Sequence, residues 1–369
     1  MEMKKYKLGD ILELQRGYDL TSAEMKNANI PVAGSNGVIG YHDVAKCITP
    51  CITVGRSGSV GKVHFYRDPV WVHNTALYVS NFKGNDPKYL YYLLSVLKLD
   101  VLCGSSVVPS LNRNVVYPME VPFCSDVGLQ NKISSILSTL DQRIENLRAQ
   151  NRVLEQTAKT IYDYTFLQCA GRQTAYNKTL NRNIPEDWEV KNIFDVFDNG
   201  FPFSTELFTE EITDKPVVRI RDILEHTTSA YTTEIVDEKY RLQEGDLVIG
   251  MDGNFHMNLW TDNISYLNQR CVRIRMNDNN VTSVQAKFAL APYIKAKEMT
   301  AKGSTVGHLS DKDLKGMFIL VPDSKTLKNF NAQVLPIFQK QLVNTKQIEA
   351  LTTQRNTLLP LLMTGQVEV

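Results

Sequence analysis

The sequence predicts an α+β protein in which two similar globular units are joined by a pair of long antiparallel coiled-coil helices with pseudo-two-fold symmetry. Three observations carry that expectation: a narrow apolar seam in mid-chain, a weaker copy of it at the C-terminus, and an ordered set of short segments that occurs twice. A length of 369 residues allows two or three domains with cores of their own.

The first unit, residues 1–125, opens with "YKLGDILELQRG" at Tyr6 and continues as short apolar runs separated by Gly-containing turns. That pattern predicts strands, and "DPKYLYYLLSVL" predicts one short helix among them. Residues 126–168 then change character. Ile133, Leu137, Leu140, Ile144, Leu147, Leu154, Ala158 and Ile161 fall on alternating steps of four and three, with Asn151 at the remaining position. Such a stripe is narrower than the apolar face of a helix sunk in a globular core, so this helix needs a partner helix.

The second unit, residues 169–325, repeats the first in order. "WEVKNIFDVFDNG" at Trp188 resembles the opening segment, and an offset of 195 carries "CITVGRSG" at Cys51 onto "DLVIGMDG" at Asp246. The same offset sets "HNTALYV" at His73 on "NQRCVRI" at Asn268. "GSSVVPSLN" at Gly104 resembles "GSTVGHLS" at Gly303, and each precedes a run ending in Val-Pro, at Pro122 and Pro322. "QAKFALAPYIKA" predicts the second unit's helix.

The last segment, residues 326–369, returns the seam: an offset of 204 carries "IENLRAQNRVLEQ" at Ile144 onto "IEALTTQRNTLLP" at Ile348. Leu140, Ile144, Leu147 and Leu154 are expected to pack against Ile348, Leu351, Leu358 and Leu362. Gln341, Asn344 and Arg355 make this copy less regular. Pro336 is expected in the first turn or at a bend, and Pro360 is expected to disturb the last turns. A seam of roughly thirty residues is about 45 Å long, a rigid spacer with a unit near each end. Helices that merely cap their own units are the alternative, which leaves the narrowness of the seam unexplained.

Hydrophobic residues at 43% and charged residues at 22% describe a soluble globular chain. No apolar run approaches the roughly 18–20 residues that span a bilayer, and the apolar part of "MEMKKYKLGDIL" is too short for a signal peptide, so a cytoplasmic protein without a membrane partner is expected. The six cysteines are scattered. Cys47 and Cys51, between His42 and His64, raise the question of zinc, but no second ligand pair follows at standard spacing, and buried reduced thiols with no metal are expected. A net charge of +1 excludes a generic polycation.

Catalytic signatures are missing where they would be needed. "GRSGSVGKV" has Arg56 and Val63 at the places where a phosphate loop requires Gly and Ser or Thr. There is no Asn/Asp-Pro-Pro-aromatic run for amino-methyl transfer and no Gly-rich cofactor loop between strand and helix. "VPD" at 321–323 supplies a carboxylate, yet no Glu/Asp-x-Lys follows, and "DKDLK" at 311–315 reads as a solvated helix start. His73, His256 and His308 have no metal or catalytic spacing. No catalytic residue is assigned.

The ordered set of two units and two seam helices resembles the specificity subunit of type I restriction–modification systems. The resemblance rests on "YKLGDI", "VGRSGSVGKV", "GSSVVPSLN", "GSTVGHLS" and the terminal "RNTLLPLLMTGQVEV", and covers essentially the whole chain. It implies that each unit is a target-recognition domain reading one half of a split, asymmetric double-stranded DNA site, in defence against foreign DNA. The helices would then set the unread spacer and dock two methylation subunits, with restriction and motor subunits joining that core. It further implies a subunit without chemistry of its own; S-adenosylmethionine, ATP and Mg2+ would bind its partners in the endonuclease and adenine methyltransferase complex. The exposed seam faces suggest a homodimer when the chain is isolated. Two other functions remain open at this point: a duplicated coiled-coil adaptor binding protein alone, and a DNA enzyme with a cryptic site.

Readers of bases need paired donors or acceptors on turns of a stiff sheet, while Gly and Ser let backbone N–H groups approach phosphate. In the first unit the candidates are Arg56, Ser57, Ser59 and Lys62 in the Gly-rich turn, with Asn74, Asn112 and Arg113 near strand ends. The second unit offers Asp252, Asn254, His256, Gln269 and Arg270, with Ser304, Thr305 and His308 after Gly303. The same residues would also suit solvated hairpins and turn caps. Because Arg-Ser stands opposite Met-Asp in the two Gly-rich turns, the half-sites are expected to differ.

Overall fold

The computed structural model describes residues 3–48, 50–102, 110–169, 171–200, 207–277, 280–301 and 307–369. Within it the chain divides into two units, Met1–Glu145 with Ala350–Val369, and Asn146–Glu349.

In the first unit "YKLGDILELQRG" becomes strand β1 (Lys4–Lys7), a single helical turn α1 (Leu8–Ile11) and strand β2 (Glu13–Arg16). The next strands are β3 (Ile30–Gly34), β4 (Gly37–His42), β5 (Cys51–Gly55), β6 (Val63–Tyr66), β7 (Trp71–Val72) and β8 (Ala76–Asn81). A four-stranded antiparallel sheet has the order β2-β8-β5-β6, and β4-β3-β7 forms a second sheet with β3 and β7 parallel. β5 lies inside its sheet and is buried at every position, Thr53 included, so it lacks the polar alternation of a half-exposed strand. Helix α2 (Pro87–Val96) starts with Pro at its first turn, and Asp86 caps it by accepting from the Tyr89 N–H at 2.7 Å. It buries Tyr89, Leu90, Leu93 and Leu94 on the sheet. After the short helix α3 (Arg113–Val116), β9 (Glu120–Phe123) pairs antiparallel with β1 and closes the unit. Helix α4 (Val127–Tyr162) follows.

The second unit adds a hairpin, β10 (Thr174–Asn177) with β11 (Arg182–Pro185), and then repeats the first topology. β12 (Glu189–Asn192), α5 (Ile193–Val196) and β13 (Phe197–Gly200) correspond to β1, α1 and β2. β14 (Phe208–Thr209), β15 (Val217–Val218), β16 (Tyr231–Thr232), β17 (Leu247–Gly250), β18 (Met257–Leu259), β19 (Tyr266–Leu267) and β20 (Cys271–Met276) follow. The main sheet has the order β13-β20-β17-β18, and β15 runs parallel to β19 as β3 does to β7. Cross-strand register repeats as well: Thr53 faces Tyr78 and Gly55 faces Ala76, while Val248 faces Arg273 and Gly250 faces Cys271. The units differ at the insert, where β4 pairs with β3 but β14 pairs with β16. Helix α6 (Ser283–Ala301) carries Pro292, α7 (Asp311–Lys315) is capped by Ser310, and β21 (Phe318–Val321) pairs with β12. Helix α8 (Ser324–Thr364) ends the fold.

Each long helix is one continuous element that contributes a segment to both units. Within each unit the two segments run antiparallel. In the first, Ile133 and Leu137 share a core with Leu362 and Met363, and Arg355 pairs with Asp141 at 2.9 Å. In the second, Asn151 meets Asn344 and Thr345, while Tyr162 and Phe166 pack with Phe330, Val334 and Phe338. The expected seam thus has its ends sunk in the two unit cores, and a polar layer at Asn151 and Asn344 interrupts it between them. Ile144, Leu147 and Leu362 are buried, and Leu140, Leu154, Ile348, Leu351 and Leu358 are half-buried.

Pro336 does not lie in the first turn of α8, and neither it nor Pro360 ends the helix. Both are on exposed faces, as are Ala332 and Asn356 four residues before them, so the carbonyls that lose a donor are open to water.

The irregular seam residues pair with one another. The Asn344 amide donates to Asn151 Oδ1 at 2.9 Å, and Gln341 donates to Glu155 at 3.2 Å. A polar layer of this kind selects one register at some cost in stability. Asn344→Leu alone, which takes the donor from Asn151 Oδ1, is expected to cost about 1–3 kcal/mol in a denaturant titration. Asn151→Leu with Asn344→Leu is expected to recover that loss or exceed it while admitting other registers, seen as a second species in light scattering.

Both long helices start on an aspartate. Asp126 accepts from Gly128 N–H at 2.7 Å, and Asp323 accepts from the Thr326 hydroxyl at 2.6 Å and the Thr326 N–H at 3.0 Å. The Thr326 hydroxyl, then its N–H and Arg172, hold the Asp323 carboxyl down to about 2. Since the folded value lies below the unfolded one near 3.9, the cap stabilises fully above that value and loses its effect as pH falls through the folded value. Asp323→Ala is expected to cost about 1 kcal/mol at neutral pH. Urea midpoints of the two proteins should converge below about pH 2; a pH-independent gap would refute this account of the cap.

Candidate nucleic-acid interface

In the first unit three segments far apart in sequence meet beyond the end of β5. Arg56 and Ser57 both donate their backbone N–H to Thr75 O, at 2.8 and 3.1 Å. Leu111 N–H donates to Arg56 O at 2.8 Å, and Ser57 bridges to Ser110. The Gly-rich turn, the stretch before β8 and the stretch before α3 therefore form one junction. Two glycines shape it. A Cβ at Gly55 would lie 2.0 Å from Ser59 O, and Gly58 has φ +81°.

The candidate side chains are held to different degrees. Arg56 donates to Asn74 O at 3.3 Å, and the Asn74 amide hydrogen-bonds the Asp19 carboxylate, which also takes Arg16 at 2.7 Å. The Asn74 hydrogen bond, followed by the nearby Arg16 and His73 charges, holds the Asp19 carboxyl below its ordinary value. Lys62 donates to Asn36 Oδ1 at 2.8 Å, and Ser59 is half-buried. Asn112 and Arg113 are exposed but engaged: Asn112 caps α3 by accepting from Asn114 N–H at 3.0 Å, and Arg113 donates to Leu14 O at 3.1 Å.

The second unit builds the same junction. Met251 N–H donates to Arg270 O at 2.8 Å, Leu309 N–H donates to Met251 O at 2.7 Å, and Asp252 bridges to His308. Met251, Asp252, Arg270 and His308 thus stand where Arg56, Ser57, Thr75 and Ser110 stand in the first. Gly253, like Gly58, has positive φ, at +68°. Here the segments are also tied by side chains: Asp252 takes Arg270 at 2.5 Å through one oxygen and His308 Nδ1 at 2.6 Å through the other. Burial pushes the Asp252 carboxyl up, but the hydrogen bonds from His308 and Arg270 outweigh it and hold it below its ordinary value.

Asn254 and Gln269 are exposed and His256 is half-buried. His256 N–H donates to Asn254 O at 2.7 Å, and Gln269 N–H donates to Asn268 Oδ1 at 2.6 Å. Ser304 and Thr305 lie outside the described residues, as do residues 104–109 of the matching first-unit segment. Sequence reasoning missed Asp19, Asn36, Thr75 and Ser110. Their place at the junction follows from pairings across the fold, and no local pattern announces them.

The other sequence features take structural places. Asp323 of "VPD" caps α8, and Asp313 of "DKDLK" takes Ser310 and Lys297. Cys47 and Cys51 are buried thiols in the core of the β3–β7 region, where contact with Cys47 and burial hold the Cys51 thiol up. Among the described residues no group of three His, Cys, Asp or Glu gathers to hold a metal, and no helix is long and apolar enough to cross a membrane.

A family model for the type I restriction modification DNA specificity domain matches the chain twice, over residues 1–156 and 185–354. The chain is 24% identical over 328 residues to the type I restriction enzyme MjaIX specificity subunit of Methanocaldococcus jannaschii, covering 84% of this chain and 76% of that one. It is 32% identical over 124 residues to the EcoBI specificity subunit of Escherichia coli, covering 34% of this chain and 26% of that one. The crystal structure of a type I restriction–modification S subunit from M. genitalium matches 98% of this chain and 96% of its own, with a TM-score of 0.64 at 16% identity. That last likeness is one of fold.

Proposed function

The chain belongs to the type I restriction modification DNA specificity family, and from that premise we propose that it reads double-stranded DNA on behalf of a restriction–modification complex. Each unit reads one half of a split, asymmetric site through its loop junction. The paired helices set the unread spacer and dock two methylation subunits, to which restriction and motor subunits add. The chain contributes no catalysis; S-adenosylmethionine, ATP and Mg2+ act on the partner subunits, in the cytoplasm.

One observation carries this reading: a single loop junction is built twice on the same sheet register and furnished with different side chains each time. A rigid scaffold repeated with altered polar tips is what an asymmetric two-part target requires. In the first unit, Arg56, Ser57, Ser59, Lys62, Asn74, Asn112 and Arg113 supply donors and amides; in the second, Asn254, His256, Gln269, Arg270 and His308 do so. With a net charge of +1, much of the phosphate contact falls to the partner subunits.

Adenine-methylation maps of a genome with and without this gene test the proposal. A bipartite motif with an unread spacer should disappear on deletion; an unchanged map would overturn it. The near-neutral charge favours a second reading, an adaptor that binds protein only. A reconstituted complex that protects no split DNA site would establish that reading instead.

A further inference from the structure

The two loop junctions share a backbone but not a charge arrangement, and the difference assigns a role inside the second one. Arg270 is widely exposed, with 63% of its side chain open, and so is His308 at 58%. Asp252 between them is 16% open and binds each through a separate oxygen. A carboxylate in that position would repel phosphate and offers guanine no donor. What it does is hold. A bond to one Arg270 nitrogen tethers the guanidinium beside Asp252 while leaving most of its five N–H donors unspent. Because an ionised carboxylate only accepts, His308 must carry its proton on Nδ1, which leaves Nε2 as the nitrogen not engaged by Asp252.

We propose that Arg270 reads a guanine in the second half-site and that Asp252 is the positioning residue that aims it, with His308 bracing the same carboxylate from the far side. The proposal rests on the reading that this junction faces DNA. Arginine donating to guanine O6 and N7 is the commonest specific major-groove contact, and its selectivity depends on the planar fork arriving in one orientation. The ordering cost of a long side chain is reduced when a buttress has already restricted it. The first unit has no such device at the matching positions, because Thr75, Ser57 and Ser110 stand where Arg270, Asp252 and His308 stand. Its Arg56 is one residue away from the position of Asp252 and donates to the Asn74 carbonyl instead. The effect therefore belongs to one half-site only.

The test selects duplexes from a randomised library with the full chain co-expressed with its methylation subunits, then repeats the selection with variants. The wild type should prefer guanine strongly at one position of the second half-site. Arg270→Ala and Arg270→Gln should each reduce that preference on the order of ten- to a hundredfold and leave the first half-site unchanged. Arg270→Gln keeps a long polar side chain but pairs with adenine rather than guanine, so it decides the matter should the alanine variant fold poorly. Asp252→Asn should weaken the same preference by a smaller factor, with a melting temperature shift too small to account for it. Guanine preference retained in Arg270→Gln would overturn the reader, and retained in Asp252→Asn it would overturn the positioning role. A wild-type chain that selects no split motif would bring down the functional reading itself, a different result from a split motif indifferent to Arg270.

Discussion

Exchanging residues 1–125 for the corresponding unit of another family member should replace one half of the recognised sequence and leave the other half unaltered. The first unit's loop junction, with Arg56, Ser57, Thr75, Ser110 and Asn112, lies wholly inside the exchanged segment. Asp252, Arg270 and His308 lie wholly outside it. The exchange has a structural cost that can be foreseen. Ile133, Leu137, Leu362 and Met363 belong to the first unit's core together with Leu90, Leu93 and Leu94 of α2. A donor α2 of different volume would meet helix residues it was not selected with, and a mismatch of one large side chain costs about 2–5 kcal/mol. Grafts that retain apolar residues of matching size at positions 90, 93 and 94 should therefore survive best. Methylation maps of the chimaera decide the matter. A change in both halves would defeat the modular reading.

Removing one heptad from each long helix, around Leu147 and around Leu351, should shorten the preferred spacer or abolish binding. Seven residues correspond to about 10 Å of helix, or roughly 3 base pairs at ~3.4 Å each. A deletion of seven preserves the alternation of four and three, so Leu140 and Leu154 remain on the seam. The same deletion in one helix alone should be far worse. It would slide Asn151 away from Asn344, or Asp141 away from Arg355, and leave half-buried polar groups facing apolar ones. Selected duplexes from the double deletion carry the answer. An unchanged spacer would show that the helices do not set it.

Much of the architecture is legible before any coordinate is seen. The two seam helices follow from a period of four and three, the strands from short apolar runs, and the duplication from segments recurring at offsets of 195 and 204. These signals are local: a helix or a Gly turn is specified by residues within a few positions of one another. Gly58 and Gly253 illustrate this, since the positive φ they adopt is a property of each turn by itself. The type of α4 and α8 was settled in the same way, and so was the continuation of each through polar stretches.

Tertiary structure decided what those elements do to one another. Ile133 and Leu137 belong to the seam by period, yet they pack into a unit core, because a helix end beside α2 has a larger apolar neighbour than its partner helix. Asn151, Asn344 and Arg355 look like seam defects in the sequence and find their partners, Asn151 with Asn344 and Arg355 with Asp141, only when antiparallel register brings them together. Asp252 lies 18 residues from Arg270 and 56 from His308, distances at which one-dimensional pattern holds no information. Periodicity records how a chain turns on its own axis. Which side chains then share a hydrogen bond is fixed by strand pairing through space, and that depends on the whole core closing at once.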